Sequence, residues 1–453
     1  MLKPRNLMLA GALVAAPIAA QQAKAPAPYT LAIAAGYKAL MTCSAMFIGG
    51  RTETQIAKDE LSGIYADYDA IVPTLTAAVD ARAGLVSVAF DSSLPPRRAV
   101  YRNGRGCTIE PIGAARPVAA NTPGRIGPAP ANPAPWPLGD SLPRMAFAPI
   151  PAVGRAMTGG YGGKTTGVVV LRGKSLIVEA YADGFGPYTA QRTWSVAKSI
   201  TGTLVGIAVK ERIVDVNAPP RIPEWADEPP TNSRRQITLD NLLRMASGLH
   251  SATAGNRTDA VYFGGTAVTE EAVHWPIEVK PGTRFRYANN DILLAMRALR
   301  AALGEVRHRD FPARALFDRI GMKHTIAETD WRGNYVSSSQ IWTTARDLAR
   351  FGLLYLDDGV WNGARILPVG WRSYVTTPSG PQPASGFGYG ATFWLMNKVP
   401  GVPADAFSAN GNRGQYVVIV PSRGIVLVRR GEDPASNGFD IAKFTADVLT
   451  EVK

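Results

Sequence analysis

The chain has 453 residues, 46% of them hydrophobic and 19% charged, with 45 Gly and 35 Pro. That length fits two or three units at roughly 150 residues each, and the composition excludes a disordered or fibrous protein. The formal charge of +13 rests mainly on arginine, and no Lys/Arg cluster with interleaved aromatics occurs, so the sequence argues against a nucleic-acid partner. The two Cys lie far apart, and His250, His274, His308 and His324 form no ligand-spaced cluster; with no phosphate-binding glycine loop either, neither metal nor organic cofactor is expected.

The N-terminus has the form of a secretory signal. Lys3 and Arg5 precede a short apolar run, 7–20, which ends in small residues and is too short to span a bilayer comfortably. Cleavage after Ala20 is expected, giving a periplasmic or secreted chain with no integral membrane segment. In an exported protein Cys43 and Cys107 are expected to pair, closing a loop of about 60 residues that contributes roughly 4 kcal/mol in the chain-entropy model.

Residues 21–115 read as a small α+β module. The stretch 31–48 is apolar at helical spacing, and 54–61 holds helix formers. Segments 79–90 and 98–109 alternate as strands, the second turning back at Asn103-Gly104. Residues 116–145 are proline-rich and read as a linker draped over the surface. From 146 to 453 the pattern is a dense α/β domain. A hairpin is expected from 167–171 and 175–181, and a second from 415–420 and 424–429. The helix 195–209 is apolar almost all round and therefore buried. Amphipathic helices are expected at 237–246, 291–302, 345–356 and 442–452. Strands at both ends with helices between predict one antiparallel sheet flanked by helices.

No GxSxG occurs, and His250, the one His beside a Ser/Gly turn, reads as structural. The chemistry points instead to Ser195-Val196-Ala197-Lys198. Three apart on a helix, the two side chains share a face. The helix N-terminus favours anionic character on the serine oxygen, and an apolar helix buries Lys198 and lowers its pKa toward that of a base. SxxK alone is weak, since 21 Ser and 13 Lys give about 0.6 chance matches (21 × 13/453). A second element, Tyr287-Ala288-Asn289, precedes a helix; a phenol held partly as phenolate near an ammonium can act as base and then as acid, and Asn289 can orient both Lys198 and a substrate carbonyl. Tyr101-Arg102-Asn103 matches too but reads as a turn. The third element is Ala409-Asn410-Gly411-Asn412, entering the late hairpin. A glycine there permits close approach of a substrate, and the N–H of Asn412 with that of Ser195 can form an oxyanion hole.

The order Ser-x-x-Lys, Tyr-x-Asn, then a glycine-bearing strand resembles the serine β-lactamase-related family: class C β-lactamases, DD-peptidases, family VIII esterases and 6-aminohexanoate-dimer hydrolases. The resemblance spans roughly 160–432 and is reinforced by Leu242-Leu243-Arg244-Met245-Ala246-Ser247-Gly248-Leu249, by Pro281-Gly282-Thr283 and by Trp342-Thr343-Thr344-Ala345-Arg346-Asp347-Leu348. It implies an α/β sandwich with a helical subdomain, Ser195 as acylated nucleophile, Lys198 and Tyr287 as the proton-handling pair, and Asn289 in the second motif. Penicillin-recognising members carry Lys or His first in the third motif, where Ala409 stands here. That departure turns the expectation from β-lactams toward a small-molecule amide or ester substrate. The alternatives are a strict β-lactamase or DD-peptidase, and a non-catalytic cell-wall-binding protein.

Overall fold

Runs such as Val168-Val169-Val170-Leu171 are apolar on both faces, and both faces are covered. The computed structural model describes residues 26–115, 127–142, 149–229, 231–251 and 258–452; the leader at 1–20 lies outside them. Seven antiparallel strands form the main sheet in the order Gly388–Tyr389, Trp394–Leu395, Phe407–Gly411, Gln415–Val420, Ile425–Gly431, Thr165–Arg172, Ser175–Tyr181. One face packs Val169, Leu171, Val417, Ile419 and Val426 against helix Ala345–Leu356 and the rest of the larger core. The other face packs Val168, Val170, Val418 and Leu427 against the helices Pro151–Met157 and Ile441–Glu451. This is the expected α/β architecture, one antiparallel sheet flanked by helices, and both ends of the expected domain contribute strands to it.

The helix Val196–Lys210 begins one residue after Ser195 and is buried along nearly its whole length. It packs against Asn289–His308, and Leu239–Leu243 packs against that same helix. Gly202 allows the close approach of Thr392, whose hydroxyl oxygen would lie 2.2 Å from an added Cβ. The Ser199 hydroxyl donates to the Thr392 carbonyl at 2.5 Å beside it. Helix Leu239–Leu243 is shorter than the expected 237–246. Thr238 caps it through the Asn241 amide, and Met245 leaves the helical region at φ +60.

In the first 115 residues, helix Pro28–Phe47 lies on a four-stranded antiparallel sheet, Ala77–Asp80, Leu85–Val88, Arg97–Arg102 and Gly106–Ile109. The expected single strand 79–90 is a hairpin. Asp80 accepts from the amides of Arg82 and Ala83, both at 3.0 Å, and Gly84 takes φ +62, which reverses the chain. Cys43 and Cys107 are disulfide-bonded and tie the helix to the last strand. By length and composition Pro28–Phe47 could cross a membrane, but 72% of its most apolar window is buried inside the fold.

This module does not stand apart, because its buried residues run into the core of the following domain. Glu328 makes the sharpest link. It accepts from the Ser44 hydroxyl at 2.6 Å, the Cys107 amide at 2.8 Å and the Trp342 indole at 3.1 Å, wholly out of water. The proline-rich segment is anchored where it is described: Arg350 donates to the carbonyls of Pro137 (2.9 Å) and Gly139 (2.5 Å) and pairs with buried Asp140 at 2.8 Å.

Truncating Glu328 strands three buried donors. Glu328→Ala is therefore expected to cost roughly 3 kcal/mol or more in urea unfolding. Replacing both cysteines with serine should cost about 2–4 kcal/mol in the same assay. Losses under about 1 kcal/mol in both would show that the module and the domain are stable independently of this junction.

Candidate active site

Ser195 sits at the N-cap position of Val196–Lys210, next to a residue in an unusual backbone conformation. Trp194 has φ +49, in the left-handed region that a bulky residue seldom enters. Packing holds it there. The Arg192 guanidinium lies 3.7 Å over its ring, and Tyr65 meets it edge-on with centroids 6.1 Å apart. The turn lifts Ser195 into the cleft, half-exposed, at the edge of a buried helix.

Lys198, one turn on, is 1% exposed. Its Nζ lies 3.0 Å from Ser195 Oγ, 2.7 Å from Asn289 Oδ1 and 3.0 Å from the Ser338 carbonyl. Three acceptors match the three protons of an ammonium, so the charged form is fully hydrogen-bonded. Burial nevertheless lowers its pKa to about 7, with the nearby Arg192 charge acting in the same direction. The amine is thus poised between base and acid near neutrality. Asn289 is itself oriented, donating from Nδ2 to Thr258 Oγ1 at 3.1 Å.

Tyr287 packs beside Tyr389 and Trp394, with ring centroids 6.0 and 5.2 Å away. Burial pushes its phenol up to about 12, while hydrogen bonds from Ser195 and Trp394 pull the other way. This corrects the expectation of a partial phenolate. Lys198 Nζ lies 4.9 Å from the ring centroid, over the face of the ring, and the phenol keeps its proton.

Strand Phe407–Gly411 brings the third motif alongside. A Cβ on Gly411 would stand 2.3 Å from the Thr193 carbonyl and 3.1 Å from the Ser195 amide nitrogen, so only glycine lets this strand close on the nucleophile turn. Asn412 follows at the exposed hairpin turn. Ala409 is fully buried in the core and offers no charge to the cleft. Ser195, Lys198, Tyr287, Asn289 and Gly411 thus converge. Tyr101 and Arg102 end a strand of the N-terminal sheet and Asn103 opens the turn after it, and His250 pairs with Glu278, which also pairs with Arg284 and Arg286.

The beta-lactamase family model matches residues 152–449, about two thirds of the chain. The chain belongs to the beta-lactamase family. On this fold that is a family of serine hydrolases. A 6-aminohexanoate-dimer hydrolase of Paenarthrobacter ureafaciens is 30% identical over 246 residues, which cover 51% of this chain and 61% of that protein, so the chain spans about three fifths of that relative's length. Among solved structures, a family VIII carboxylesterase superposes with TM-score 0.52 at 16% identity, over 66% of this chain and 94% of that one. A class C beta-lactamase superposes with TM-score 0.50 at 14% identity, over 67% and 95%. At such identities the two structures speak for the fold alone.

Four parts of this beta-lactamase-family cleft were not evident from the motifs: Trp394, the Ser338 carbonyl, Arg192 and Tyr262, whose hydroxyl pairs with Ser338 Oγ at 2.6 Å. None lies within a motif; each reaches the site through tertiary packing. Arg192 has one weak signal, three residues before the serine.

Removing an acceptor from Lys198 disfavours its charged form. Asn289→Leu is therefore expected to lower the Lys198 pKa further below 7, by about one unit, followed by NMR of the lysine ε-methylene. An unchanged or raised value would show that Asn289 does not support the ammonium.

Proposed function

We propose that the chain is an exported serine hydrolase that cleaves small amides or esters through an acyl-Ser195 intermediate, nearest in type to 6-aminohexanoate-dimer hydrolases and family VIII esterases. The observation that carries this reading is the contact of Ser195 Oγ with a buried amine whose pKa lies near 7 and with a protonated phenol. Neutral Lys198 takes the hydroxyl proton as Oγ bonds to the substrate carbonyl. The amides of Ser195 and Asn412 receive the oxyanion across the gap left by Gly411. Tyr287 protonates the departing nitrogen or oxygen and is restored by the Lys198 ammonium. Water then releases the acyl group by the reverse proton path.

Ala409 in place of a cation weakens the case for carboxylate-bearing β-lactams and favours neutral amides and esters near the scissile bond. Export is supported by the leader-like N-terminus and by a disulfide, which persists in oxidising compartments.

The test is hydrolysis of p-nitrophenyl esters, short amides and nitrocefin by the parent chain, Ser195→Ala and Lys198→Met. Ester and amide turnover with a fluorophosphonate adduct on Ser195 is expected, and about 10³-fold or greater loss in each variant. Since Lys198 must be neutral to act, kcat/KM should rise with pH through an apparent pKa near 7. Equal rates for parent and Ser195→Ala would sink the proposal. Nitrocefin as the preferred substrate would replace it with a β-lactamase.

A further inference from the structure

Two of the three acceptors around Lys198 Nζ belong to residues tied to one side chain outside the motifs. Tyr262 ends the short helix Asp259–Tyr262 and is buried, with its hydroxyl 2.6 Å from Ser338 Oγ. Ser338 lies in irregular chain before strand Ile341–Thr343, and its carbonyl accepts from Lys198. Side chains fasten this stretch. Thr201 donates to the Ser337 carbonyl at 2.9 Å, Arg192 donates to Ser339 Oγ at 2.8 Å, and Tyr262 holds Ser338 itself.

The second acceptor, Asn289, is reached through Thr258. Asn289 donates to Thr258 Oγ1 at 3.1 Å. Thr258 is tied to Tyr262 twice, by the Tyr262 amide on the Thr258 carbonyl at 3.0 Å and by a hydrogen bond between the two side chains. Burial raises the Tyr262 phenol far above its ordinary value, against the pull of Ser338, Thr258 and the Arg192 charge. It therefore stays neutral, with one proton to give and an oxygen to accept, as a link between two hydroxyls requires.

Tyr262 is itself fixed by the N-terminal module. A Cβ at Gly36, in helix Pro28–Phe47, would stand 1.9 Å from the Phe263 carbonyl oxygen, so helix and segment meet backbone to backbone. Arg97 donates to that same carbonyl at 3.2 Å, the Tyr37 and Phe263 rings lie 4.8 Å apart, and the Tyr68 hydroxyl donates to the Asp259 carboxylate. We propose that Tyr262 is a positioning residue for the proton transfer at Ser195: its hydroxyl holds Ser338 directly, and Asn289 through Thr258, where each accepts from Lys198 Nζ. The proposal rests on the acyl-Ser195 reading and adds to it a residue that acts through the acceptors of Lys198.

Loosened acceptors support the ammonium less, so the Lys198 pKa should fall. The charge that bears on Lys198 is Arg192, and Tyr287 faces it as a protonated phenol. Arg192 also lies 5.6 Å over the Tyr262 ring, a contact that phenylalanine keeps. The test follows the Lys198 ε-methylene by NMR against pH, beside the pH profile of kcat/KM for a p-nitrophenyl ester, in the parent, Tyr262→Phe, Ser338→Ala, Tyr355→Phe and Ser195→Ala. Tyr262→Phe should lower the pKa by about half a unit or more and move the rising limb of the profile to lower pH by the same amount. Ser338→Ala cuts the same bond from the other end, so it should shift both the same way and decides the matter should Tyr262→Phe not fold. Tyr355→Phe removes a buried hydroxyl 2.7 Å from Thr203, on the helix that carries Lys198, and should move neither. A pKa that stays within about 0.2 unit of the parent in Tyr262→Phe or Ser338→Ala, or that rises, or that Tyr355→Phe shifts as far, overturns the positioning role and leaves the nucleophile standing. Turnover that survives Ser195→Ala removes the acyl-Ser195 reading instead, and the role in proton transfer with it.

Discussion

The site depends on placing an amine out of water without leaving its protons unsatisfied. Lys198 is enclosed by an apolar helix and by the strand and helix facing it, yet the Ser195 hydroxyl, the Asn289 amide and the Ser338 carbonyl surround Nζ within 3.0 Å. Those acceptors would favour the ammonium; burial and Arg192 oppose it, and the opposition wins by enough to bring the pKa down to about 7. An amine more exposed would stay charged and idle at neutral pH. One equally buried but without acceptors could not hold a proton at all.

That balance demands rigid surroundings, because each acceptor comes from a different part of the chain. Ser195 is delivered by the left-handed turn at Trp194, Asn289 by the start of Asn289–His308, and Ser338 by the irregular segment before strand Ile341–Thr343. Local strain at Trp194, of order 1–3 kcal/mol for such a backbone, persists only because its ring is held on two sides. One of those sides is Tyr65, from the N-terminal module. The module therefore bears on the nucleophile's geometry through packing.

The architecture was largely legible in the sequence because the signals were local. The unbroken apolar runs within 167–181 and 415–429, each pair split by a short turn, and the period-3.6 pattern at 345–356 each specify their own element. The helix Ala345–Leu356 falls on its expected bounds, since Thr344 supplies an N-cap to the Asp347 amide and the apolar face then runs unbroken. The hairpin inside 79–90 was missed because both its strands and its turn keep the alternation going; only Asp80 and Gly84 mark the reversal. The motif residues could be named for the same local reason, while Trp394 and Ser338 could not, because nothing near them in the chain differs from ordinary core or loop. The partial phenolate failed for a physical cause. Spacing brings a lysine near a tyrosine, but it does not say that the ammonium meets the ring face, nor that burial outweighs it.

The arginine excess looks different once the fold is known. In sequence it reads as a compositional habit with no binding partner attached. In the structure Arg51, Arg97, Arg192, Arg350, Arg429 and Arg430 are each no more than 3% exposed, and several of them donate to carbonyls at strand ends and in irregular chain. Arg430 donates to the Thr343 and Arg192 carbonyls at 2.6 and 3.1 Å, Arg413 to three carbonyls of the N-terminal module, and Arg350 to two of the proline-rich segment. A planar guanidinium with five donors can serve several such oxygens at once, which a lysine cannot do in one plane. Loops rich in Pro and Gly leave carbonyls that no helix or strand partner satisfies, and these buried arginines supply the missing donors. The charge that suggested nothing about ligands is thus partly structural, and it fastens element ends and irregular segments to one another.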